Sequence, residues 1–259
     1  MGITNDLVLG DSLEILPTLE EGSIDLILTD PPYNISQGEV KVDRSKIENR
    51  RVRKLVTRRQ NKPSELCYDF RKWDNYSSID QQLEFAEAWL LLCYPLLKDN
   101  GQIITFYSRS EISFLEAIMN GLGYRVRQTL VWHKTNPVPQ LFKVGYMSAC
   151  ELILWATKNT GAGHTFNYRM GQSPNVFSYP TCGGKERTEH PTQKPLALIK
   201  RLLGHHTNEG DLVLDPFMGS GTVCMAAKEM KRGYIGIEKE EKYYQIAVDR
   251  LNSTPELLL

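Results

Sequence analysis

The sequence predicts an α/β fold in which a mostly parallel, twisted sheet carries helices on both faces. Three observations support that reading. Apolar β-type runs alternate with helical patterns along the chain. One of the runs ends in a two-glycine turn that opens straight into a helix. A chain of 259 residues, 41% hydrophobic and 24% charged, has enough apolar material for one large core.

The elements follow in order. Residues 7–9 and 24–28 read as short buried strands flanking a helix that starts near Ser12. Across residues 81–97, Leu83, Ala86, Leu90, Tyr94 and Leu97 recur at three- or four-residue steps, a helix that Asn100-Gly101 is expected to end. A strand at 102–107, a helix at 111–120 and strands at 129–133 and 152–157 come next. Pro195 opens a further helix, since proline at a helix start gives up a donor that has no partner there. A strand at 212–214, a helix from Thr222, a strand at 234–237 and a helix from Glu241 complete the pattern. One domain over residues 1–259 is expected.

Net charge is zero, 31 Lys and Arg against 31 Asp and Glu, which excludes a protein that is basic throughout. The average hides a strong local imbalance. Residues 39–62 hold ten basic side chains against three acidic ones, a local excess of seven, so an inserted basic loop is expected within residues 35–72. Phosphate is its natural partner; a solvated loop is the plainer reading. Residues 158–189 are polar and rich in Gly, Thr, Asn and Pro, a long excursion from the sheet. The five cysteines are scattered with no Cys-x-x-Cys pair, which fits reduced thiols in a cytoplasmic protein. No run approaches 18 apolar residues and the start lacks a secretory pattern, so neither a membrane span nor a signal peptide is expected. His205-His206 has no cysteine or carboxylate at ligand spacing, and no metal site is expected.

Two turns carry chemistry. Asp215-Pro216-Phe217-Met218-Gly219-Ser220-Gly221-Thr222 follows a buried strand and opens a helix, and Glu238 lies 19 residues after Gly219, at the end of the next strand. Glycines let the backbone approach a ligand, and an acid at that spacing suits ribose hydroxyls. A tight turn with no ligand is the plainer alternative. Position 224 is Cys rather than the third glycine of a dinucleotide fingerprint, and no G-x-x-x-x-G-K-[ST] occurs. Asp215 is an anion where a phosphate would otherwise approach, which suits a ligand carrying an ammonium or sulfonium: S-adenosylmethionine. The second turn, Thr29-Asp30-Pro31-Pro32-Tyr33-Asn34, follows the strand at 24–28. Its prolines fix φ and remove two donors, leaving the carbonyls of Asp30 and Pro31 as rigid acceptors beside a carboxylate and an aromatic face. That set suits an exocyclic amino group on a planar base.

Asp30-Pro31-Pro32-Tyr33 resembles the catalytic motif of the amino-group DNA methyltransferases, and the 215–222 turn resembles their S-adenosylmethionine motif. His190-Pro191-Thr192-Gln193-Lys194-Pro195 is similar to the cofactor segment that precedes that turn in the family. The order, catalytic motif first, is that of the circularly permuted β-class. Val131-Trp132-His133-Lys134-Thr135-Asn136-Pro137-Val138-Pro139, Leu154-Trp155-Ala156-Thr157-Lys158 and His164-Thr165-Phe166-Asn167-Tyr168 are similar to the subgroup of cell-cycle-regulated adenine methyltransferases.

The resemblance, which spans residues 5–251 apart from the basic insertion, implies a Rossmann-like methyltransferase fold. It also implies site-specific methyl transfer from S-adenosylmethionine to the N6 amino group of an adenine flipped out of double-stranded DNA. Asp30, Pro31, Pro32 and Tyr33 would be catalytic. Asp11, Thr192, Lys194, Asp215, Phe217, Gly219, Ser220, Gly221, Thr222 and Glu238 would bind the cofactor. Asp11 reads equally as a helix cap beside Ser12. Residues 134–189 would read the target, with Lys134, Asn136, Gln140, Asn167, Arg169, Gln172 and Asn175 able to reach base edges. A homodimer and a cognate restriction endonuclease are further partners the resemblance implies. N4-cytosine methylation is the nearest alternative, since that reaction also targets an exocyclic amine, usually with Ser where this chain has Asp30. RNA methylation and a non-catalytic nucleic-acid module stand further off.

Overall fold

The computed structural model describes residues 5–31, 39–43, 65–69, 79–139, 145–158, 160–161, 163–190 and 192–253. The chain begins with β1 (Asn5–Leu9), α1 (Ser12–Ile15) and β2 (Ile24–Thr29), followed by an antiparallel ribbon of β3 (Glu39–Asp43) and β4 (Glu65–Asp69). Next come α2 (Ile79–Leu96), β5 (Leu97–Tyr107), α3 (Ile112–Leu122), β6 (Tyr124–Lys134), β7 (Cys150–Lys158) and β8 (Val176–Tyr179). Then follow α4 (Leu196–His206), β9 (Leu212–Asp215), α5 (Thr222–Glu229), β10 (Gly233–Glu238) and α6 (Glu241–Ser253).

Eight strands form one sheet in the order β1-β10-β9-β2-β5-β7-β6-β8. The β1/β10, β10/β9, β9/β2 and β2/β5 pairs are parallel, β7 runs antiparallel to both β5 and β6, and β8 is parallel to β6. Successive strand side chains point to opposite faces, and the core divides accordingly. Ile27, Ile103, Leu154 and Leu214 pack with Leu13 of α1, Trp89 of α2 and Leu115 of α3. Their neighbours Leu28, Ile104, Ile153 and Val213 pack with Leu202 of α4, Ala226 of α5 and Leu251 of α6 on the other side. Each fully buried aliphatic side chain contributes roughly 1.5–3 kcal/mol of transfer free energy, so both faces must be covered. That is the expected α/β architecture, realised with every central strand apolar on both faces.

This topology creates a crevice between β9 and β2. Their chains leave in opposite senses: after β9 the path enters α5 on one face, and α2, which follows β2, lies on the other. Open α/β sheets bind ligands at such a divergence, beyond the carboxyl ends of the strands.

Several elements differ from the sequence expectation, among them β5, which starts at Leu97 rather than 102, and the unexpected β3–β4 ribbon. Helix α2 stops at Leu96, short of Asn100-Gly101, because Leu97 already pairs with Ile24; the pairing resumes at Leu26 with Gln102, so the intervening residues bulge from the ladder. A Cβ at Gly101 would lie 2.9 Å from the Lys98 carbonyl oxygen, which is why glycine stands in that bulge. Strand β6 starts at Tyr124, five residues before the expected 129, since its outer half pairs with β7 through to Lys158. Within the polar 158–189 excursion lies β8, a four-residue strand that buries only Phe177 and so shows no clear period. Within the 35–72 insertion the described residues form the β3–β4 ribbon; residues 44–64, which hold most of the basic cluster, lie outside the described residues. Among the described residues no helix is long and apolar enough to cross a membrane.

Candidate active site

The two turns picked out in the sequence meet at the β2/β9 crevice. Asp30 directly follows β2 and Asp215 ends β9. Thr29 Oγ1 donates to Asp215 Oδ1 at 2.7 Å, and the Phe217 backbone N–H donates to the same oxygen at 3.1 Å. Asp215 is only 3% exposed. Burial raises its carboxyl to about 7, even though both hydrogen bonds favour the ionised form. The strand ends therefore hold an anion that sits in the protein only at a cost, the setting in which a cationic ligand group is most strongly favoured.

Beyond Asp215 the chain turns through Gly219 and Gly221, both left-handed, with φ of +52° and +74°. A Cβ at Gly219 would lie 2.7 Å from His190 Nε2, and one at Gly221 would lie 2.8 Å from the Ala247 Cβ. The first glycine admits the 190–194 segment beside the turn and the second admits α6. Glu238, at the end of β10, accepts from the Gly219 N–H through Oε2 at 2.9 Å and from the Glu240 N–H through Oε1 at 2.8 Å. Burial raises its carboxyl despite those bonds. Arg250 of α6 donates to the Ser220 carbonyl oxygen and, at 3.1 Å, to Thr222 Oγ1, pinning the turn from behind.

Asp11 serves as the cap of α1, accepting from the Leu13 N–H at 2.9 Å, and pairs with Lys239 Nζ at 3.0 Å. The Ser12 hydroxyl donates to the Pro216 carbonyl oxygen, tying α1 to the turn after β9. Phe217 packs against Phe85 and Trp89 of α2, each at a ring separation of 5.7 Å.

These groups enclose a cavity of about 390 Å³, the scale of a small-molecule site, lined by Asp11, Asp30, Phe217 and Glu238 among others. Asp215, Pro31, Thr192, Lys194, Gly219, Ser220 and Thr222 also reach it. Gly221 does not line it but caps α5. Pro32 and Tyr33 lie outside the described residues.

Lys194 lines the cavity and also reaches the catalytic turn. Its Nζ is 2.5 Å from Asp30 Oδ2 and 3.3 Å from Glu151 Oε2, and it lies 4.9 Å from the Phe106 ring centroid. Burial alone would depress this ammonium, but Asp30 and Glu151 outweigh it and hold the group above its ordinary value. Lys194 therefore belongs to the catalytic-turn side of the cavity.

Two residues at the cavity, His190 and Lys239, and one behind Lys194, Glu151, carried no separate signal in sequence. His190 lies edge-on to Tyr243 at 4.5 Å; burial, then Lys194, Arg187 and Arg250, lowers it to about 4, so the ring is neutral. Lys239 and Glu151 act through partners distant in the chain, which no local pattern announces. Three of the expected base readers make hydrogen bonds within the chain. Asn167 donates its amide to the Gly204 and Thr207 carbonyls at the far end of α4, and Asn175 donates to the Thr129 carbonyl. Asn136 accepts from the Thr181 N–H at 2.7 Å. Gln140 lies outside the described residues.

Comparison with known proteins gives a consistent picture. A family model described as DNA methylase, of the N6 and N4 amino type, matches residues 24–249. The chain is similar to the type II methyltransferase M.HinfI of Haemophilus influenzae, 34% identical over 95% of this chain and 68% of that protein. It is also similar to the type II methyltransferase M2.DpnII of Streptococcus pneumoniae, 32% identical over 96% of this chain and 90% of that one. Among solved structures, the M1.HpyAVI complex with S-adenosylmethionine superposes with a TM-score of 0.70 at 30% identity, covering 96% of this chain and all of that one.

Proposed function

The chain belongs to the N6/N4 DNA methylase family, and on that premise we propose that it transfers a methyl group from S-adenosylmethionine to the N6 amino group of an adenine at a specific DNA site. The observation that carries the reading is the juxtaposition of Asp30, held by Lys194, with the 390 Å³ cavity behind Asp215. The cavity fits this cofactor: it offers buried carboxylates for a cationic centre, an aromatic wall at Phe217 and an acid at the end of β10.

When bound, S-adenosylmethionine supplies a methyl group on a positively charged sulfur. The cofactor-facing assignment covers Asp11, Thr192, Lys194, Asp215, Phe217, Gly219, Ser220, Gly221, Thr222 and Glu238. Asp30 and the Pro31 carbonyl accept the two hydrogens of the target amine. That draws the nitrogen lone pair out of the ring and stabilises the positive charge that builds up on nitrogen as it attacks. Holding nucleophile and methyl donor in line contributes further, with roughly 7–11 kcal/mol as the ceiling for such positioning. Asp30 or a water then takes the surplus proton. Pro32 and Tyr33 complete the turn, with Tyr33 as the stacking face for a flipped base.

Asp30 in place of Ser favours adenine over cytosine. The motif order assigns the chain to the permuted β-class. Lys134 ends β6 at the same end of the sheet as Asp30, which supports base readout by residues 134–189, and the basic cluster in 39–62 supplies phosphate contacts.

Mass analysis of nucleosides from DNA treated with the protein and labelled cofactor tests the assignment. N6-methyladenine is expected; label in N4-methylcytosine, or in RNA alone, overturns it. Asp30→Ala is expected to keep cofactor binding and lose methyl transfer, and turnover within tenfold of wild type removes Asp30 from its role.

A further inference from the structure

Four charges of alternating sign run through the site, and each comes from a different part of the fold. Asp30 follows β2, Lys194 precedes α4, Glu151 is the second residue of β7 and Lys134 ends β6. Asp30 meets Lys194 at 2.5 Å, Lys194 meets Glu151 at 3.3 Å, and Glu151 meets Lys134 at 2.7 Å. Lys194 also donates to the Thr192 carbonyl oxygen at 3.4 Å. Burial pushes the Glu151 carboxyl up, but Lys194 and Lys134 outweigh it and hold the group ionised. Lys134 in turn lies 5.3 Å from the Trp132 ring centroid, which fixes the outer end of the row.

The arrangement answers an electrostatic difficulty. An amine attacking a sulfonium methyl becomes cationic, so its acceptor should be negative. Lys194 on its own, in contact with Asp30, would cancel that charge and repel the developing cation. A second carboxylate on the far side of the ammonium shares its positive charge, leaving Asp30 less neutralised, and keeps Lys194 from swinging toward the substrate, while Lys134 anchors that carboxylate from outside.

Resting on the methyl-transfer reading above, we propose that Glu151 is a positioning residue of this site: it holds Lys194 against Asp30 and offsets the lysine's charge, so that Asp30 faces the reacting amine as an effective anion. Glu151 needs no contact with substrate or cofactor to do so.

The test is Glu151→Gln, which keeps shape and hydrogen-bonding capacity but removes the charge, assayed with labelled S-adenosylmethionine and DNA. The expected result is a fall in kcat of about tenfold, with KM for DNA, Kd for the cofactor and thermal midpoint unchanged within measurement. Glu151→Asp, which restores the charge at shorter reach, is expected to recover a substantial part of the lost kcat. The inference is overturned by a Glu151→Gln enzyme within twofold of wild type. It is overturned equally by a kcat loss matched by the same loss of cofactor affinity, which marks a structural role, or by Glu151→Asp doing no better than Gln. If wild-type protein places no methyl group on an exocyclic amine, the methyl-transfer reading itself has failed; if it does and Gln is tolerated, only the role of Glu151 has.

Discussion

Gly219→Ala separates cofactor binding from folding. At φ +52° an alanine costs about 1–2 kcal/mol in backbone strain. Its Cβ would also stand 2.7 Å from His190 Nε2 and 3.0 Å from Cε1, so the ring must withdraw by several tenths of an ångström. His190 cannot simply retreat, because Tyr243 lies against it at 4.5 Å. The remaining outlet is for the turn to shift, which disturbs the Gly219 N–H bond to Glu238 at the cavity wall. The expected outcome is a thermal midpoint lower by about 2–8 °C, from about 2–4 °C per kcal/mol in a domain of this size. Cofactor affinity should fall about tenfold, equivalent to about 1.4 kcal/mol. Gly221→Ala is the control: its φ is +74° and its Cβ would strike Ala247 of α6, so it should destabilise at least as much while losing less affinity. Calorimetric titration with S-adenosylmethionine, paired with thermal melts, reads both quantities. Adding His190→Ala to Gly219→Ala, measured against His190→Ala alone, should recover part of the binding loss. Binding by Gly219→Ala within twofold of wild type, or no recovery in the double variant, refutes the steric reasoning.

Further expectations follow from the same geometry. Burial lifts Asp215 to about 7, above its unfolded value, so its contribution to apo stability is greatest at low pH and declines as pH rises toward and through 7. Affinity for the cationic cofactor should move the other way, rising through that range, and Asp215→Asn should flatten both trends; parallel pH profiles of variant and wild type reject this. Asp11→Asn keeps an acceptor for the Leu13 N–H and should stay within about 0.5 kcal/mol of wild type, whereas Asp11→Ala loses the cap and about 1 kcal/mol. Equal denaturation midpoints for the two variants remove the cap as the cause. Replacing Arg50, Arg51, Arg53, Lys54, Arg58 and Arg59 by Gln should reduce the slope of log affinity against log salt by about 0.9 for each phosphate no longer neutralised. An unchanged slope takes phosphate binding away from the insertion.

The limits of sequence reading show at particular residues. Glu238 was legible because the spacing from a glycine turn to the end of the next strand is fixed by one helix and its connections. Arg250 was not, since its bonds to Ser220 and Thr222 depend on how α6 packs behind the turn. Asn167 looked like a base reader because its side chain can serve either role; only its position beside the last turn of α4 commits the amide to the Gly204 and Thr207 carbonyls. Strand β8 leaves no mark in the sequence because a half-exposed strand of four residues is too short for its alternation to register.

By itself the sequence determined the alternation of strands and helices, the two turns and their order along the chain. Those are local properties, set by the spacing of apolar side chains and by the dihedral freedom of glycine and proline within a few residues. The tertiary structure alone decided which charges meet. Strand order sets β9 beside β2, which brings Thr29 to Asp215 across 186 positions of chain, and burial then compels Lys194 to take Asp30 and Glu151 as partners. A buried ion must find its counter-ion wherever the sheet delivers one, and no window of the sequence contains that address.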